Sequence, residues 1–383
     1  MSSRIRLTLL IPTLDRSGAE KQLVQLAIGL SPEEFDVDVL ALTRGGPLAE
    51  PLQDHGVPIH VLGKRRKVDH GALRRLKRRL RNSVPDILHT WLFAANAYGR
   101  LACRVVPDTR VVVSERCVDA WKRPWQLWLD RRLIKRTDQL LTNSQSVAGF
   151  YRELGIPSGL IEVIPNGIAV ETPTAPGDPR AEVRAELELP ENARLVTCIG
   201  RLAPQKRVTD LVWAIELLHQ LDPRAWLVCV GDGPERNRVE HFARETGCWD
   251  RVRFTGHRDD TGRLWAASDV AWLASDFEGQ SNSVMEAMAA GLPVVASDIP
   301  ANAELVLDGQ TGHLVPVGDS AAFAKQTAAL LADRDRAQQL GTAGRQRMQD
   351  SFGLETMIDA HARLYRSLTN DRTDVMPADD DTT

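Results

Sequence analysis

Glu278 and Glu286 stand eight positions apart around Gly279-Gln280-Ser281-Asn282-Ser283-Val284-Met285, where small polar residues lead into a helical run continuing through AMAAG. Ser281, Asn282 or Ser283 can cap that helix. The first-turn N–H groups and the positive end of the helix dipole suit an anion. Glu286, about one turn in, leans back toward the helix start. A carboxylate there accepts hydrogen bonds from sugar hydroxyls, including a vicinal pair. Glu278 can do the same from the preceding loop. One helix end would then hold a phosphate flanked by two hydroxyl binders, as a nucleotide sugar requires. Chance supplies such a spacing often; Gly279, the cap residues and the strand that follows raise it above background.

Two other loops could serve the same ligand. Gly200-Arg201-Leu202-Ala203-Pro204-Gln205-Lys206-Arg207 follows an apolar strand, and its fixed cations suit a phosphate or diphosphate. The plain alternative is a solvated loop. Gly231-Asp232-Gly233-Pro234 follows another strand; its glycines allow close backbone approach to a ligand, and its proline suits a first helical turn. An ordinary strand-to-helix turn explains it equally well.

Short apolar runs alternating with amphipathic segments must position these loops, the pattern of βα units. The first half offers strands at Leu7–Ile11, Val37–Leu42, Ile59–Leu62, Ile87–His89, Arg110–Ser114, Gln139–Asn143 and Ile161–Ile164. The second offers Arg194–Ile199, Trp226–Val230, Val252–Thr255, Val270–Ala274, Pro293–Ala296 and Gly312–Val315. Continuously apolar strands fit parallel sheets covered on both faces. In such sheets ligands sit off the carboxyl ends of the strands, where all three loops fall. The reading is α/β, with two Rossmann-like doubly wound domains facing each other across a cleft. The domains are residues 1–170 on the acceptor side and 193–350 on the nucleotide-sugar side, joined by a linker at 171–192. Residues 351–370 form a C-terminal helix returning to the first domain, and 371–383 a disordered acidic tail.

Charge is unevenly spread: residues 1–180 hold 27 Lys+Arg against 19 Asp+Glu, within a chain of net charge -3. That asymmetry points to something anionic beside the first half. The five scattered cysteines form no CxxC pair and read as buried reduced thiols. No apolar run reaches membrane-spanning length, and the first residues lack a signal core, so the expected place is the cytoplasm.

Together, Gly200-Arg201…Lys206, Gly231-Asp232-Gly233-Pro234, Glu278…Glu286, AMAAGLPVVASD and Asn302-Ala303-Glu304 resemble family 4 of the glycosyltransferases, retaining enzymes of GT-B fold. The resemblance runs from about residue 5 to 368; in the first half Ser17-Gly18-Ala19-Glu20, Asn143-Ser144 and Ile164-Pro165-Asn166-Gly167 carry it. It implies that Arg201 and Lys206 neutralise the leaving diphosphate with the Asn282, Ser283 and Val284 amides. Glu286 would hold the ribose, Glu278 the transferred sugar, and Gly18 would close on the phosphates. Gly200, Gly231 and Gly279 would shape the donor pocket. The resemblance further implies no dedicated base, the acceptor proton passing to the leaving phosphate on the same face.

The chain departs from that pattern at Ser17, where the family has glycine, and at His89-Thr90-Trp91, where many members have His-x-His. Trp91 can stack on a sugar but cannot relay a proton. His89, Trp91 and Asn96 are the candidate acceptor or donor-sugar contacts. Asp36-Val37-Asp38 starts a strand rather than ending one, so no metal is expected, and no cofactor beyond the nucleotide-diphosphate sugar itself. Lys64–Arg81 carries ten cations and one acid, with Leu73, Leu76 and Leu80 on one helical face. With Trp121–Trp128 it would suit an anionic membrane at the inner face of the cell, or else a solvated helix and core tryptophans. No nucleic-acid module accompanies it. The leading reading is a transferase moving a hexose to a glycan or lipid-linked acceptor in cell-surface polysaccharide or glycolipid synthesis. A nucleotide-sugar isomerase of the same fold, or a non-catalytic binder, are the alternatives. A dehydrogenase is disfavoured because no GxGxxG turn follows the first strand.

Overall fold

The computed structural model describes residues 4–118, 122–170 and 178–370. Trp121, residues 171–177 of the expected linker and the expected 371–383 tail lie outside them. The chain forms two compact units: residues up to Gly167 together with those from Leu354 onward, and Ile168–Gly353.

The first unit holds β1 (Ile5–Ile11), β2 (Phe35–Ala41), β3 (Ile59–Val61), β4 (Ile87–Trp91), β5 (Arg110–Glu115), β6 (Gln139–Thr142) and β7 (Ile161–Val163). They pair in the order β3-β2-β1-β4-β5-β6-β7, each pair parallel. The second unit holds β8 (Arg194–Ile199), β9 (Ala225–Val230), β10 (Val252–Gly256), β11 (Val270–Leu273), β12 (Val294–Ser297) and β13 (Gly312–Val315), in the order β10-β9-β8-β11-β12-β13, again parallel. All residues of β4, β9, β11 and β12 are buried. Helices cover both faces, which is why these strands read as unbroken apolar runs rather than alternating ones.

The strand order reverses between β1 and β4 and between β8 and β11. At such a switch point the connections leave toward opposite faces and open a crevice at the strands' carboxyl ends. In the second sheet Val196 and Thr197 of β8 pair with Val270 and Ala271 of β11. The loops opening at Gly200 and Ala274 are therefore neighbours.

Two expectations are corrected. Residues 179–186, assigned to the linker, are a helix, Pro179–Glu186, capped by Asp178 with proline in its first turn. Val183 is 1% exposed, and the Arg184 guanidinium donates to the carbonyls of Ala193 and Ala267, so this segment belongs to the second unit. Pro179 marks the start of this helix. Strand β4 also runs two residues past His89, which matters for the site.

Helix Leu354–Asn370 lies with the first unit. Tyr365 reaches His89 Nδ1 through its hydroxyl at 2.6 Å, and His361 stacks on Trp91 at an interplanar angle of 12°. Gln22 exchanges two hydrogen bonds with the Gly167 backbone, at 2.8 and 2.9 Å, fixing where the chain leaves this unit. His361 is fully buried and donates through Nδ1 to Met357 O, and burial pushes its pKa down to about 3. The unfolded chain binds that proton near pH 6.5, so the contribution of neutral His361 is whole above that pH. It falls by about 1.4 kcal/mol per pH unit as pH drops toward 3. Wild-type protein should therefore lose more melting temperature between pH 7 and pH 5 than a His361→Phe variant; parallel losses would mean that His361 already carries a proton in the folded state.

Candidate active site

The loop after β8 is shaped by its neighbour after β9. Gly200 N–H donates to Val230 O at 2.9 Å, Leu202 N–H to Asp232 O at 3.0 Å, and Glu235 N–H to Leu202 O at 3.0 Å. Gly231 has φ +129, and a Cβ there would stand 2.0 Å from Gly200 O; one on Gly233 would stand 2.3 Å from Leu202 O. The glycines thus permit close approach of the two loops to each other. The sequence leaves that approach open between a ligand and an ordinary turn, and the structure gives it to the neighbouring loop. Its effect is to hold the Gly200–Arg201 backbone still while leaving the Arg201 side chain exposed, with no hydrogen bond or ion pair among the described residues.

Lys206 ends a single 3-10 turn, Pro204–Lys206. Arg207 follows in the left-handed conformation (φ 42), which costs a non-glycine residue about 1 kcal/mol. Two carboxylates hold it there: Asp210, 2.6 Å from Nε, and Asp276, 3.0 Å from Nη1. Asp276 N–H also donates to Gln205 O at 2.9 Å. The loops after β8 and β11 are thereby laced together. At their centre Lys206 Nζ is bonded to Glu278 Oε1, which also accepts from Ser275 Oγ at 2.7 Å. Glu278 is 7% exposed, and Ser275 is fully buried.

Helix Asn282–Ala289 starts four residues beyond Glu278 with Ser281 as N-cap, whose hydroxyl accepts from Val284 N–H at 3.5 Å. The Val284 amide, expected to face a diphosphate, is spent on the cap here. Glu286, one turn in, accepts from Trp265 Nε1 at 3.4 Å. Gly279 is buried in the turn, and Asn282 and Ser283 are half-buried at the helix start. Arg201, Lys206, Glu278, Asn282, Ser283 and Glu286 therefore all belong to the β8 and β11 loops or the helix that follows.

In the first unit Gly18 is exposed and opens helix Gly18–Gly29. Ser17, in place of the family glycine, has φ -128, open to any residue. Its hydroxyl donates to Glu20, which also accepts from Thr13 Oγ1 at 3.2 Å. Burial raises the pKa of Glu20. The substitution brings a donor to a buried carboxylate and no backbone strain.

His89, Trp91 and Asn96 are not ligand contacts: each is 0% exposed. Because β4 continues to Trp91, both ring residues lie within the sheet rather than beyond it. His89 bonds Tyr365 and Ser114 (2.8 Å), and burial holds it neutral. Asn96 donates to Ser114 O at 3.0 Å. The Trp91 ring lies under the Arg116 guanidinium, 4.4 Å from its centroid. Arg116, another buried group, bonds Asn166 Oδ1 at 2.7 Å, and desolvation lowers its pKa to about 9.

Asp38, of the Asp-x-Asp pair, accepts from Thr8 Oγ1 at 2.5 Å and Arg79 at 3.2 Å, a local structural use. Helix His70–Ser83 buries Leu76 and Leu80 and turns Arg74, Arg78 and Arg81 to solvent. Lys122, counted among the cations beside the tryptophans, is buried between Glu115 and Asp130. Trp125 and Trp128 are 56% and 64% exposed, not core residues. Ser275, Trp265 and the Arg207–Asp276 pair escaped the sequence reading. Only the position of Ser275 at a strand's carboxyl end could have flagged it.

Two Rossmann-like units with these loops define a GT-B fold. HepE of Anabaena, solved with UDP and glucose, superposes with TM-score 0.84 at 22% identity, covering 95% of this chain and 100% of that one. Family models match along both halves: Glycosyltransferase Family 4 over residues 16–172 and Glycosyl transferases group 1 over residues 179–347. A GDP-mannose-dependent alpha-(1-6)-phosphatidylinositol monomannoside mannosyltransferase of Mycobacterium tuberculosis is 31% identical over 296 residues, 73% of this chain and 76% of the relative. The lipopolysaccharide core biosynthesis glycosyltransferase LpsE of Rhizobium meliloti is 31% identical over 234 residues, 61% of this chain. That match spans 66% of LpsE, just under two thirds of its length. The chain belongs to family 4 of the glycosyltransferases.

The glycine contact gives a direct check. Gly231→Ala should cost about 2–4 kcal/mol, since the new methyl meets a carbonyl and the backbone is strained. Gly149→Ala, in a helix with nothing within 4 Å, should be neutral or slightly stabilising. Thermal melts giving the same small shift for both would remove the close-approach account.

Proposed function

We propose that this protein is a retaining hexosyltransferase that transfers a hexose from a nucleoside-diphosphate sugar to a glycan or lipid-linked acceptor, without a metal ion. The observation that carries the reading is the lacing of the β8 and β11 loops, which sets a free guanidinium (Arg201) and a fixed ammonium (Lys206) near a capped helix start. Charge grows on the bridging oxygen as the sugar leaves its diphosphate. Preorganised cations and amides stabilise that charge without reorganising at the moment of reaction. Glu286 would take the ribose hydroxyls and Glu278 those of the hexose. The acceptor proton would pass to the departing phosphate on the same face, so no separate base is required. An isomerase would need an acid/base group at the ligand; the histidine in β4 that could have offered one is sealed in the core. Relatives solved with UDP and named for GDP-mannose keep both bases open for the donor.

On the acceptor side we propose contact with an anionic membrane at the cytoplasmic face. The exposed Trp125 and Trp128, with Arg131 and Arg132 beside Trp128, and the cationic face of helix His70–Ser83 support it. No helix among the described residues is long and apolar enough to cross a membrane. Purified protein should sediment with vesicles of 30% anionic lipid and come off at high salt. The paired Trp125→Ala and Trp128→Ala change should cut that binding severalfold; salt-insensitive or absent sedimentation would refute the contact.

Donor use is tested by thermal shift against UDP-glucose, UDP-galactose, UDP-N-acetylglucosamine and GDP-mannose, then by release of nucleoside diphosphate in proportion to glycosylated acceptor. Lys206→Ala should lower kcat by about 100-fold or more with a much smaller change in donor affinity, because its partner's charge grows toward the transition state. Equal losses in both would count against the leaving-group role.

A further inference from the structure

Glu278 has two carboxylate oxygens in unlike situations. Oε1 accepts from both Lys206 Nζ and Ser275 Oγ. Oε2 carries no hydrogen bond among the described residues, and it is not among the sealed polar atoms. The serine is itself held from behind: Ser275 N–H donates to Ser297 Oγ at 3.1 Å, and Asn302 Nδ2 donates to Ser297 O at 2.8 Å. Ser275, Ser297 and Asn302 are all 0% exposed. A buried polar chain thus runs from the carboxyl end of β12 through that of β11 to Glu278, and Lys206 closes its other end.

We propose that Ser275 is a positioning residue that commits one oxygen of Glu278 to the protein and leaves the other for the sugar of the donor. The assignment rests on Glu278 as the sugar binder proposed above. Without the hydroxyl, Glu278 keeps only Lys206 as a partner at Oε1. The carboxylate is then free to turn about its last bond and offer both oxygens to the ammonium. That single rotation would take Glu278 from the sugar, while the ammonium still keeps an N–H for the diphosphate. With Ser275 in place the ammonium gives one proton to Oε1 and keeps two for phosphate oxygens. The pair can therefore stay made while both partners serve the ligand. Buried and one residue-width removed from the ligand, Ser275 acts only through Glu278.

The affected quantity is the extra affinity conferred by the sugar. The test measures dissociation constants of the full-length protein for UDP and UDP-glucose, and for GDP and GDP-mannose. Whichever pair the wild type binds is carried into Ser275→Ala, Ser275→Thr, Ser297→Ala and Glu278→Gln. In Ser275→Ala the preference for nucleotide sugar over nucleotide should fall about tenfold, the worth of a hydrogen bond to a charged group. Affinity for the bare nucleotide should stay within about twofold. Ser275→Thr, which keeps the hydroxyl, should restore most of the preference, and Ser297→Ala should lower it less than Ser275→Ala does. If Glu278→Gln abolishes the preference while Ser275→Ala leaves it intact, the positioning role is wrong and the sugar-binding role of Glu278 stands. If Ser275→Ala weakens nucleotide and nucleotide sugar equally, the serine is merely structural and the proposal falls. If Glu278→Gln leaves the preference unchanged, or the wild type binds neither pair, the donor-site reading fails and takes this one with it.

Discussion

The ion pair between Lys206 and Glu278 is the contact around which the second unit's ligand end is organised. It exists because β8 and β11 are neighbours at a switch point, so two loops far apart in sequence emerge side by side. Taking both charges out of water costs several kcal/mol per ion unless further hydrogen bonds compensate. Compensation comes from Ser275 on the carboxylate, and the loops are braced by Arg207 with Asp276. Well-packed apolar residues would stabilise such a place at least as well as an ion pair. That the chain keeps charges there, with a backbone forced left-handed beside them, accords with the donor site proposed above.

The first unit applies the same physics to another end. Its polar core, with His89, Tyr365, Ser114, Asn96, His361 and Arg116, looks from composition alone like a reaction centre. Burial decides otherwise. His89 spends both ring nitrogens on hydroxyls, Asn96 serves a strand carbonyl, and the histidines are held neutral by the absence of water. These groups pin the returning C-terminal helix onto β4. An apolar face would hold that helix against the sheet but would not specify its rotation, whereas the Tyr365 hydroxyl meeting His89 does. A histidine near a strand end is thus a site in one setting and a rivet in another, and only its access to solvent separates the two.

That distinction marks how far the sequence could be read. Every strand was visible within a residue or two, because strands buried on both faces are locally apolar. The donor-side loops were visible because glycines, a helix cap and cations fall just after such strands. What failed depended on distant partners. The partner of His89 is 276 residues away, so nothing near β4 announced that the strand continues or that a helix closes over it. Gly231 stays open between a ligand contact and a plain turn, because the carbonyl that needs its space belongs to another loop. Residues 179–186 look like linker in the sequence, and only the burial of Val183 shows a packed helix there. For Trp125 and Trp128 the sequence leaves open a surface flanked by cations or a place in the core, and only their exposure decides for the surface.

Net charge adds one more step. The anion-ready loops lie in the half of the chain where acids outnumber bases, against the simple expectation that anions seek the basic half. Around them Lys206 pairs with Glu278, and Arg207 with Asp210 and Asp276, so much of the loops' positive charge is matched before any ligand arrives. Attraction for a diphosphate must then come from orientation: a guanidinium with no partner, ammonium protons not yet used, and the start of a capped helix. Such short-range donors act at contact and are little screened by salt, whereas the exposed cations of helix His70–Ser83 act over a Debye length and are screened strongly. The two halves are accordingly suited to the two tasks proposed for them: recognition of a small, highly charged donor by geometry, and attraction to an extended anionic surface by field.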